Sequence, residues 1–354
     1  MENVTGRDFD VFPKFHGIIT YVIMTAVAVT GIFGNTLLFL AYWLSRRLQT
    51  KTNIFVINLA TADMLTCVFL SFSILLGASG LANAWLDSLC AVHMVALFIF
   101  TFCSMMTLAF ISVNRYVLIT KSKDTYERIY RKKFMFFFLC ISWLFPILFV
   151  TTQLFFGRHV LFGYDKTIQA CTTGLGHPRS YLYEKLDLVY IFIVATIIVY
   201  SYGRIYKFLR RHNKKMQNGI FSKLFRSERD GGTISAVSLC QTQVNITKNL
   251  FFILLVFIIC FGPLVIIEAL QIHNDTAVAY SLTAAMVNSC VNPAIYGVKH
   301  PHFRQVLYCI LSRRWSEIPE PAYRWMRSGL TSSVTAGSRS KDLGAISITV
   351  LEKE

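Results

Sequence analysis

The chain has 354 residues, of which 54% are hydrophobic and only 15% are charged. Soluble domains carry about 25% charged residues, so this composition excludes an ordinary soluble protein. The formal net charge of +16 does not indicate a nucleic-acid partner, because the basic residues cluster beside long apolar runs.

Seven apolar runs are each long enough to cross a bilayer as a helix. They cover residues 18–44, 54–80, 91–120, 134–156, 186–209, 250–272 and 277–298. Helices satisfy every backbone polar group inside lipid, and the runs are too long for barrel strands. The sequence therefore predicts an all-α membrane protein, a seven-transmembrane helix bundle over residues 18–299.

The distribution of charge predicts the orientation of the bundle. Most Lys and Arg residues lie in the loops after spans one, three and five and in the tail. This bias places the N-terminal tail, residues 1–17, outside and the C-terminus in the cytoplasm, where basic loops face anionic membrane lipid. No cleaved signal peptide is expected. The sequon at Asn3 is then a glycosylation candidate on the outer side.

The nine cysteines separate by predicted location. Only Cys90 and Cys171 are expected outside, where an oxidising environment favours a disulfide between them. Cys309 follows the last span beside basic residues and is either a palmitoylation site or a free cytoplasmic thiol.

The cytoplasmic segments fall into three parts. Residues 212–243 are polar and basic, and they predict a flexible loop. Residues 300–312 alternate apolar and basic positions at helical spacing, which predicts a short amphipathic helix on the membrane surface. Residues 313–354 form a polar tail. The sequence contains no phosphate-binding glycine loop, H-E-x-x-H or G-x-S-x-G motif, so we do not expect an enzyme.

Asp63 lies near the middle of span two, where a lone carboxylate needs a partner, a proton or a cation. Other polar residues recur in spans one, three and seven: Asn35, Ser104, Asn288, Ser289 and Asn292. These residues either converge on an oxygen-lined sodium pocket or make unrelated hydrogen bonds between helices. From composition alone, unrelated bonds are favoured.

Three further residues stand out, one at the end of span three and one inside each of spans six and seven. Arg115 follows a charge-free run at the end of span three, which makes it a functional candidate. Pro263 and Pro293 interrupt spans six and seven, and each is expected to kink its helix.

The motifs occur in a recognisable order: GN in span one, NLATAD in span two, NRY at the end of span three, Trp143 in span four, FIICFGP in span six and NPAIY in span seven. Together they resemble a rhodopsin-like (class A) G-protein-coupled receptor from about residue 18 to residue 309. The resemblance also implies the extracellular disulfide and favours the sodium interpretation of Asp63, Ser104, Asn288 and Asn292.

The resemblance implies an activation switch near the cytoplasmic side. Its candidate residues are Asn114, Arg115, Tyr116, Tyr202, Phe257, Phe261, Pro263, Asn292, Pro293 and Tyr296. The family usually has an acidic residue where this chain has Asn114, and Gln243 is not acidic either. We therefore expect a shallow inactive state with basal signalling. Plain core packing is the alternative role of Phe257 and Phe261.

The resemblance also restricts the ligand. Amine receptors carry an aspartate where this chain has Leu97, and opsins carry a retinal-binding lysine where it has Met286. Candidate pocket residues are His93, Leu97, Phe100, Thr101, Asp187, Phe261, Glu268 and Met286. Their character predicts a small apolar or amphipathic ligand. A peptide ligand stays an alternative.

The expected partner is a heterotrimeric G protein at the plasma membrane. A distant resemblance to melatonin receptors, insect Moody-type orphan receptors and the medium-chain fatty-acid receptor favours the inhibitory class. Serines and threonines between residues 328 and 340 are expected to recruit arrestin when phosphorylated, or they belong to an ordinary polar tail. A non-signalling decoy and a transporter are the alternative functions.

Overall fold

The computed structural model describes residues 8–78, 84–156, 162–165, 170–173, 180–224, 252, 255–272 and 274–323. Its helices are α1 (Asp8–Leu44), α2 (Lys51–Ala78), α3 (Ala84–Thr120), α4 (Lys123–Ile129), α5 (Lys132–Phe155), α6 (Ser180–Leu224), α7 (Leu255–Leu270), α8 (Asp275–Lys299) and α9 (Pro301–Leu311). The strands are β1 (Phe162–Asp165) and β2 (Ala170–Thr173).

The seven predicted spans lie in α1, α2, α3, α5, α6, α7 and α8. Five of the described helices, α1, α2, α3, α5 and α6, are long and apolar enough to cross a membrane; the apolar α7 is shorter as described. α1 packs against α2 and α8, α2 packs against α3, and α3 packs against α5 and α6. The prediction of an all-α bundle is confirmed, and the one described sheet is a short hairpin.

Several helices extend beyond the apolar runs that predicted them. α1 begins at Asp8, within the predicted N-terminal tail, and α6 continues to Leu224. The first part of the predicted flexible loop 212–243 is therefore helical, and the rest of that loop lies outside the described residues. Hydropathy marks where the chain leaves lipid, whereas a helix continues for as long as its backbone ladder is maintained.

One end of the bundle, which we call the disulfide end, carries the hairpin. β1 pairs antiparallel with β2, and Tyr164 lies opposite Cys171. Cys171 forms the predicted disulfide with Cys90 in the first turns of α3, at a Cα–Cα separation of 5.2 Å. The hairpin is thereby fixed to the start of α3. The sequon at Asn3 lies outside the described residues.

The opposite end, which we call the basic end, contains a helix that sequence reasoning missed. α4 begins after Ser122, whose hydroxyl accepts a hydrogen bond from the Thr125 amide, and it has Asp124 in its first turn and Arg128 in its last. Such caps and charges favour short helices, so the signal was present in the sequence. The absence of an apolar run concealed it.

α9 confirms the short helix expected near residues 300–312, but its apolar face packs against protein. Phe303, Val306 and Ile310 are buried in the main core. The chain then turns at Trp315–Glu317 and returns to the end of α1. There Arg46 donates its amide to the Glu320 carbonyl at 2.9 Å, and Ala322 donates to Leu44 at 2.9 Å. We call residues 315–322 the return segment.

The return segment changes the interpretation of Cys309 and of the tail. Residues 313–323 are not an extended polar tail, since Ile318 is buried and the Ser45 hydroxyl donates to the Pro319 carbonyl at 2.6 Å. The Cys309 side chain is buried beside the same turn. Palmitoylation of Cys309 stays a prediction, and it would require this turn to open. The serines and threonines at 328–340 lie outside the described residues.

Candidate functional site

The predicted polar residues of the spans converge around Asp63, which is fully buried. The Ser104 hydroxyl of α3 donates to one carboxylate oxygen at 2.7 Å, and the Asn292 amide of α8 donates to the other at 2.7 Å. Asp63 therefore joins three helices. A carboxylate has about four acceptor positions, so these two bonds leave acceptor capacity unused.

Asn35 adds α1 to this cluster. Its side-chain NH₂ donates to the Gly31 carbonyl at 2.9 Å and to the Ser289 carbonyl of α8 at 3.2 Å. Its side-chain oxygen is buried without a hydrogen-bond partner. Asn288 is also buried, on the same helix as Asn292. We call Asn35, Asp63, Ser104, Ser289 and Asn292 the carboxylate cluster; it combines a buried carboxylate with an unsatisfied oxygen.

Close backbone packing supports the carboxylate cluster. A Cβ atom added to Gly34 would lie 2.8 Å from the Pro293 Cβ, so α1 and α8 approach each other only because residue 34 is glycine. A second set of polar contacts ties α2 to α3 and α5. The Asn58 amide donates to the Thr107 hydroxyl at 2.8 Å, and the Trp143 indole donates to the Asn58 oxygen at 2.9 Å.

Arg115 lies near the basic end of α3 and is only 8% exposed. Tyr202 of α6 and Tyr296 of α8 are both buried and interact with it electrostatically. The Arg115 Nε and the Tyr296 hydroxyl are buried without hydrogen-bond partners. The described residues form two ion pairs, Lys123–Glu127 and Arg314–Glu317, and neither involves Arg115. The arginine is thus enclosed by phenol groups and has no acidic partner there.

Asn114, which precedes this arginine, is fully buried and makes a different contact. Its side-chain NH₂ lies 3.4 Å from the Tyr126 hydroxyl of α4, and Thr52 of α2 lies at the same distance from that hydroxyl. The Asn114 oxygen has no partner. Asn114 therefore links α3 to α4 weakly and does not hold Arg115.

The charge of Arg115 also reaches the junction between α8 and α9. Burial lowers the pKa of His300 to about 3, and Arg115 and His302 act in the same direction. The His300 ring packs against Phe303 at 5.3 Å between centroids. His300 is accordingly neutral at physiological pH, and it was not a predicted site residue.

The two predicted switch aromatics lie inside the bundle. Phe257 and Phe261 are buried on α7, with ring centroids 4.9 Å apart. Pro263 follows on the same helix, and Pro293 lies inside α8 directly after Asn292. Their contacts are equally those of core residues, so the switch role stays a prediction.

The predicted ligand-pocket residues lie on four helices, α3, α6, α7 and α8. His93 is buried and stacks on Phe69 of α2 at 5.9 Å, and Phe100 meets the same ring at 5.2 Å. Asp187 of α6 is buried, and Gln153 of α5 donates to its carboxylate at 3.1 Å.

The contacts of the other predicted pocket residues are of several kinds. Met286 packs toward Val27 and Leu70, in a separate small cluster. The Glu268 carbonyl accepts a bond from Lys185 at 3.2 Å. Leu97 is buried, and Thr101 has a buried hydroxyl with no hydrogen-bond partner. The Asp187 carboxylate and the Glu268 carbonyl thus take part in bonds between helices, and the pocket role of the whole set stays a prediction.

Comparison with known proteins agrees with this arrangement. The family model of the seven-transmembrane receptors of the rhodopsin family matches residues 34–296. The matched range includes the carboxylate cluster, Arg115 and its tyrosines, and it covers most of the chain. The chain belongs to the rhodopsin family of seven-transmembrane receptors. It is therefore a multi-pass membrane receptor and not an enzyme, as the sequence predicted.

Individual relatives are distant. A GQ-coupled rhodopsin of Mizuhopecten yessoensis is 28% identical over 81% of this chain and 58% of its own length. Trace amine-associated receptor 4 of Mus musculus is 26% identical over 82% of this chain and 84% of its own length. Melatonin receptor type 1C of Xenopus laevis is 24% identical over 80% of this chain and 65% of its own length. The chain thus spans less than two thirds of the rhodopsin and of the melatonin receptor.

Proposed function

We propose that this rhodopsin-family receptor binds an extracellular ligand at the plasma membrane and activates a heterotrimeric G protein in the cytoplasm. The observation that carries the proposal is the setting of Arg115: a buried arginine at the basic end, between Tyr202 and Tyr296, with no acidic partner among the described residues. A ligand that binds the open form better than the closed form shifts the bundle toward it.

Arg115 is suited to contact a partner protein once the bundle opens. A guanidinium group has five donors, and the buried Nε of Arg115 has no hydrogen-bond partner in the described structure. Opening would exchange an unsatisfied buried group for hydrogen bonds to carbonyl oxygens of an inserted helix. Tyr202 and Tyr296 already interact with the arginine electrostatically, so both are close enough to move with it when the bundle opens.

The ligand is proposed to be small and apolar or amphipathic. The relatives' names point to different ligands, and two positions in this chain argue against the obvious ones. Leu97 stands where an amine-binding aspartate is usual, and Met286 stands where a retinal-binding lysine is usual. A salt bridge to an amine and a covalent retinal are therefore not proposed.

The carboxylate cluster is proposed to hold a sodium ion. Its support is chemical: a buried carboxylate with unused acceptor positions, the Ser104 oxygen, and the unpartnered Asn35 oxygen lie in one polar cluster. Oxygen ligands of this kind suit a small hard cation. When bound, the ion would supply positive charge to Asp63, which has only uncharged hydrogen-bond donors in the described structure.

The G-protein class is proposed to be the inhibitory one, from the resemblance to melatonin receptors. The Mizuhopecten yessoensis relative is GQ-coupled, so both classes belong in the test. The test measures ligand-free activation of a panel of G proteins in cells, with wild type and Arg115→Ala at matched surface expression. Arg304→Ala, an exposed arginine on α9, is the matched control.

We expect basal activation of one G-protein class by wild type and by Arg304→Ala, and its loss in Arg115→Ala. Equal activation by all three proteins would contradict the role of Arg115. No activation by any of them would fit either a receptor that depends strictly on its ligand or a decoy receptor, and it would contradict the expectation that Asn114 leaves the inactive state shallow.

A further inference from the structure

A cavity of about 240 Å³ lies between α3 and α6 at the basic end. Its cationic lining comes from Lys121, directly after α3, and from Arg204, Lys207 and Arg211 of α6. Tyr116 and Phe208 provide aromatic walls. We call this space the cationic cavity. None of its lining residues is acidic.

The positive charges of the cationic cavity are not neutralised within the described chain. Neither of the two ion pairs formed by described residues involves a cavity residue. Arg204 lies over the ring of Tyr200 at 6.0 Å, and that ring meets Tyr116 at 6.4 Å. Four cations around so small a space repel one another, and a bound anion would relieve that repulsion.

The spacing of the cations puts them on one face of α6. Tyr200, Arg204, Lys207 and Arg211 follow one another at intervals of three or four residues. Like charges at such spacing destabilise a helix slightly. The packing of α6 on the bundle is carried by other positions, such as the buried Ile205 and Leu209. Helix packing therefore does not explain the cationic face.

We expect the cationic cavity to lie at the depth of a lipid headgroup, because it adjoins the ends of two apolar spans. The apolar span of α3 ends at Thr120 and that of α6 ends at Arg211. The same stretch of α6 carries three apolar or aromatic side chains that are at least half exposed, those of Val199, Tyr200 and Tyr206. Such exposure is expected of residues that face acyl chains. A ligand with apolar tails and a polyanionic head would place its tails against these residues and its head in the cavity.

We propose that the cationic cavity binds the polyphosphorylated headgroup of an inositol phospholipid in the membrane leaflet at the basic end. The proposal rests on the cytoplasmic orientation of that end proposed above. Arginine offers a planar fork that matches a phosphate, and lysine offers a point charge. A headgroup with one negative charge would neutralise only one of four cations, so several phosphates fit the site better.

The test uses the purified full-length receptor in phosphatidylcholine nanodiscs. A fluorescent phosphatidylinositol 4,5-bisphosphate is titrated, and its affinity is measured by energy transfer to the labelled receptor. The variant Lys207→Gln/Arg211→Gln removes two cavity charges at exposed positions. The matched control Lys132→Gln/Lys133→Gln removes two exposed charges of α5 at the same end, outside the cavity.

At about fivefold per lost charge, we expect the cavity variant to bind the lipid about twentyfold more weakly and the control to change less than about threefold. Equal weakening in both variants would overturn the proposal, because the lipid would then be sensing general surface charge. Unchanged binding in the cavity variant would overturn it as well, and so would equally tight binding of phosphatidylserine.

A second arm separates lipid from soluble ligand, since inositol 1,4,5-trisphosphate carries the same chemistry. If the soluble headgroup competes at least tenfold more weakly than the unlabelled lipid, the result supports a ligand that comes from the membrane. Competition of equal strength overturns the membrane source and assigns the cavity to a free inositol phosphate.

Discussion

Asp63 and Arg115 are both buried ionisable residues of one bundle, and their surroundings differ sharply. Both carboxylate oxygens of Asp63 accept a hydrogen bond at 2.7 Å from a neighbouring helix. Arg115 has a buried Nε with no partner, and phenol rings surround it. Asp63 joins helices through hydrogen bonds to both of its oxygens, whereas the Arg115 Nε makes no hydrogen bond. The contrast is between a structural centre, which is also the proposed sodium site, and the proposed site for a partner protein.

The backbone around the two sites differs in the same way. Near the carboxylate cluster, Gly34 lets α1 approach Pro293 so closely that a single added methyl group would collide. Beside Tyr202 at the Arg115 site, a Cβ on Gly203 would meet nothing within 4 Å. Tight packing fixes the carboxylate cluster, whereas Gly203 is an exposed position of α6 that takes no part in close packing.

The largest expected effect comes from Asp63→Leu. The substitution leaves the buried Ser104 and Asn292 donors without an acceptor, at roughly 1–3 kcal/mol for each. We expect a large fall in the thermal unfolding temperature of the purified receptor. The unfolding temperature of Asp63→Asn should fall less, because the asparagine side chain retains one acceptor oxygen.

The same unfolding measurement in sodium chloride and in choline chloride tests the ion. Sodium should raise the unfolding temperature of wild type and leave both Asp63 variants unchanged. An Asp63→Leu receptor more stable than wild type would show that the burial of the carboxylate costs more than its hydrogen bonds return. It would reverse our interpretation of this site as a structural centre.

An intermediate effect is expected from Gly34→Ala, with Gly203→Ala as the matched control. The methyl group at position 34 must displace Pro293, and overpacking of this kind costs about 1–3 kcal/mol. At position 203 the methyl group enters open space and favours helix over glycine by up to about 1 kcal/mol. Thermal unfolding of the two variants should therefore shift in opposite directions. Equal shifts in the unfolding temperatures of the two variants would contradict the inferred difference in packing between the two positions.

The smallest expected effect on the unfolding temperature comes from Asn114→Asp, whose main expected effect is on signalling. A carboxylate beside Arg115 would restore a charge-assisted restraint, which we expect to lower ligand-free signalling about tenfold, in line with a bond of roughly 1.5–3 kcal/mol. The measurement is G-protein activation at matched surface expression.

Asn114→Ala separates the new charge from the loss of the Tyr126 contact at 3.4 Å. Signalling in this variant should stay at or above the wild-type level. A fall as large as that of Asn114→Asp would attribute the effect to α4 and not to Arg115.

The sequence alone determined the membrane architecture. Apolar runs must match the thickness of the hydrocarbon layer, so their number and length follow from composition. The disulfide between Cys90 and Cys171 was predicted because few cysteines lie outside the spans. Sequence order also supplied the candidate residues Asp63, Arg115 and Asn292, because a polar residue in an apolar run is conspicuous.

Only the tertiary structure decided which of these residues meet. The partners of Asp63 lie 41 and 229 residues away, and the Ser45 bond to the return segment spans 274 residues. Hydropathy describes each helix against lipid and carries no information about which faces pack together. The missed α4 has a different cause, because a short helix without an apolar run leaves no hydropathy signal. A buried polar group is placed by its hydrogen-bond partner, and that partner is specified by helix packing rather than by neighbours in the chain.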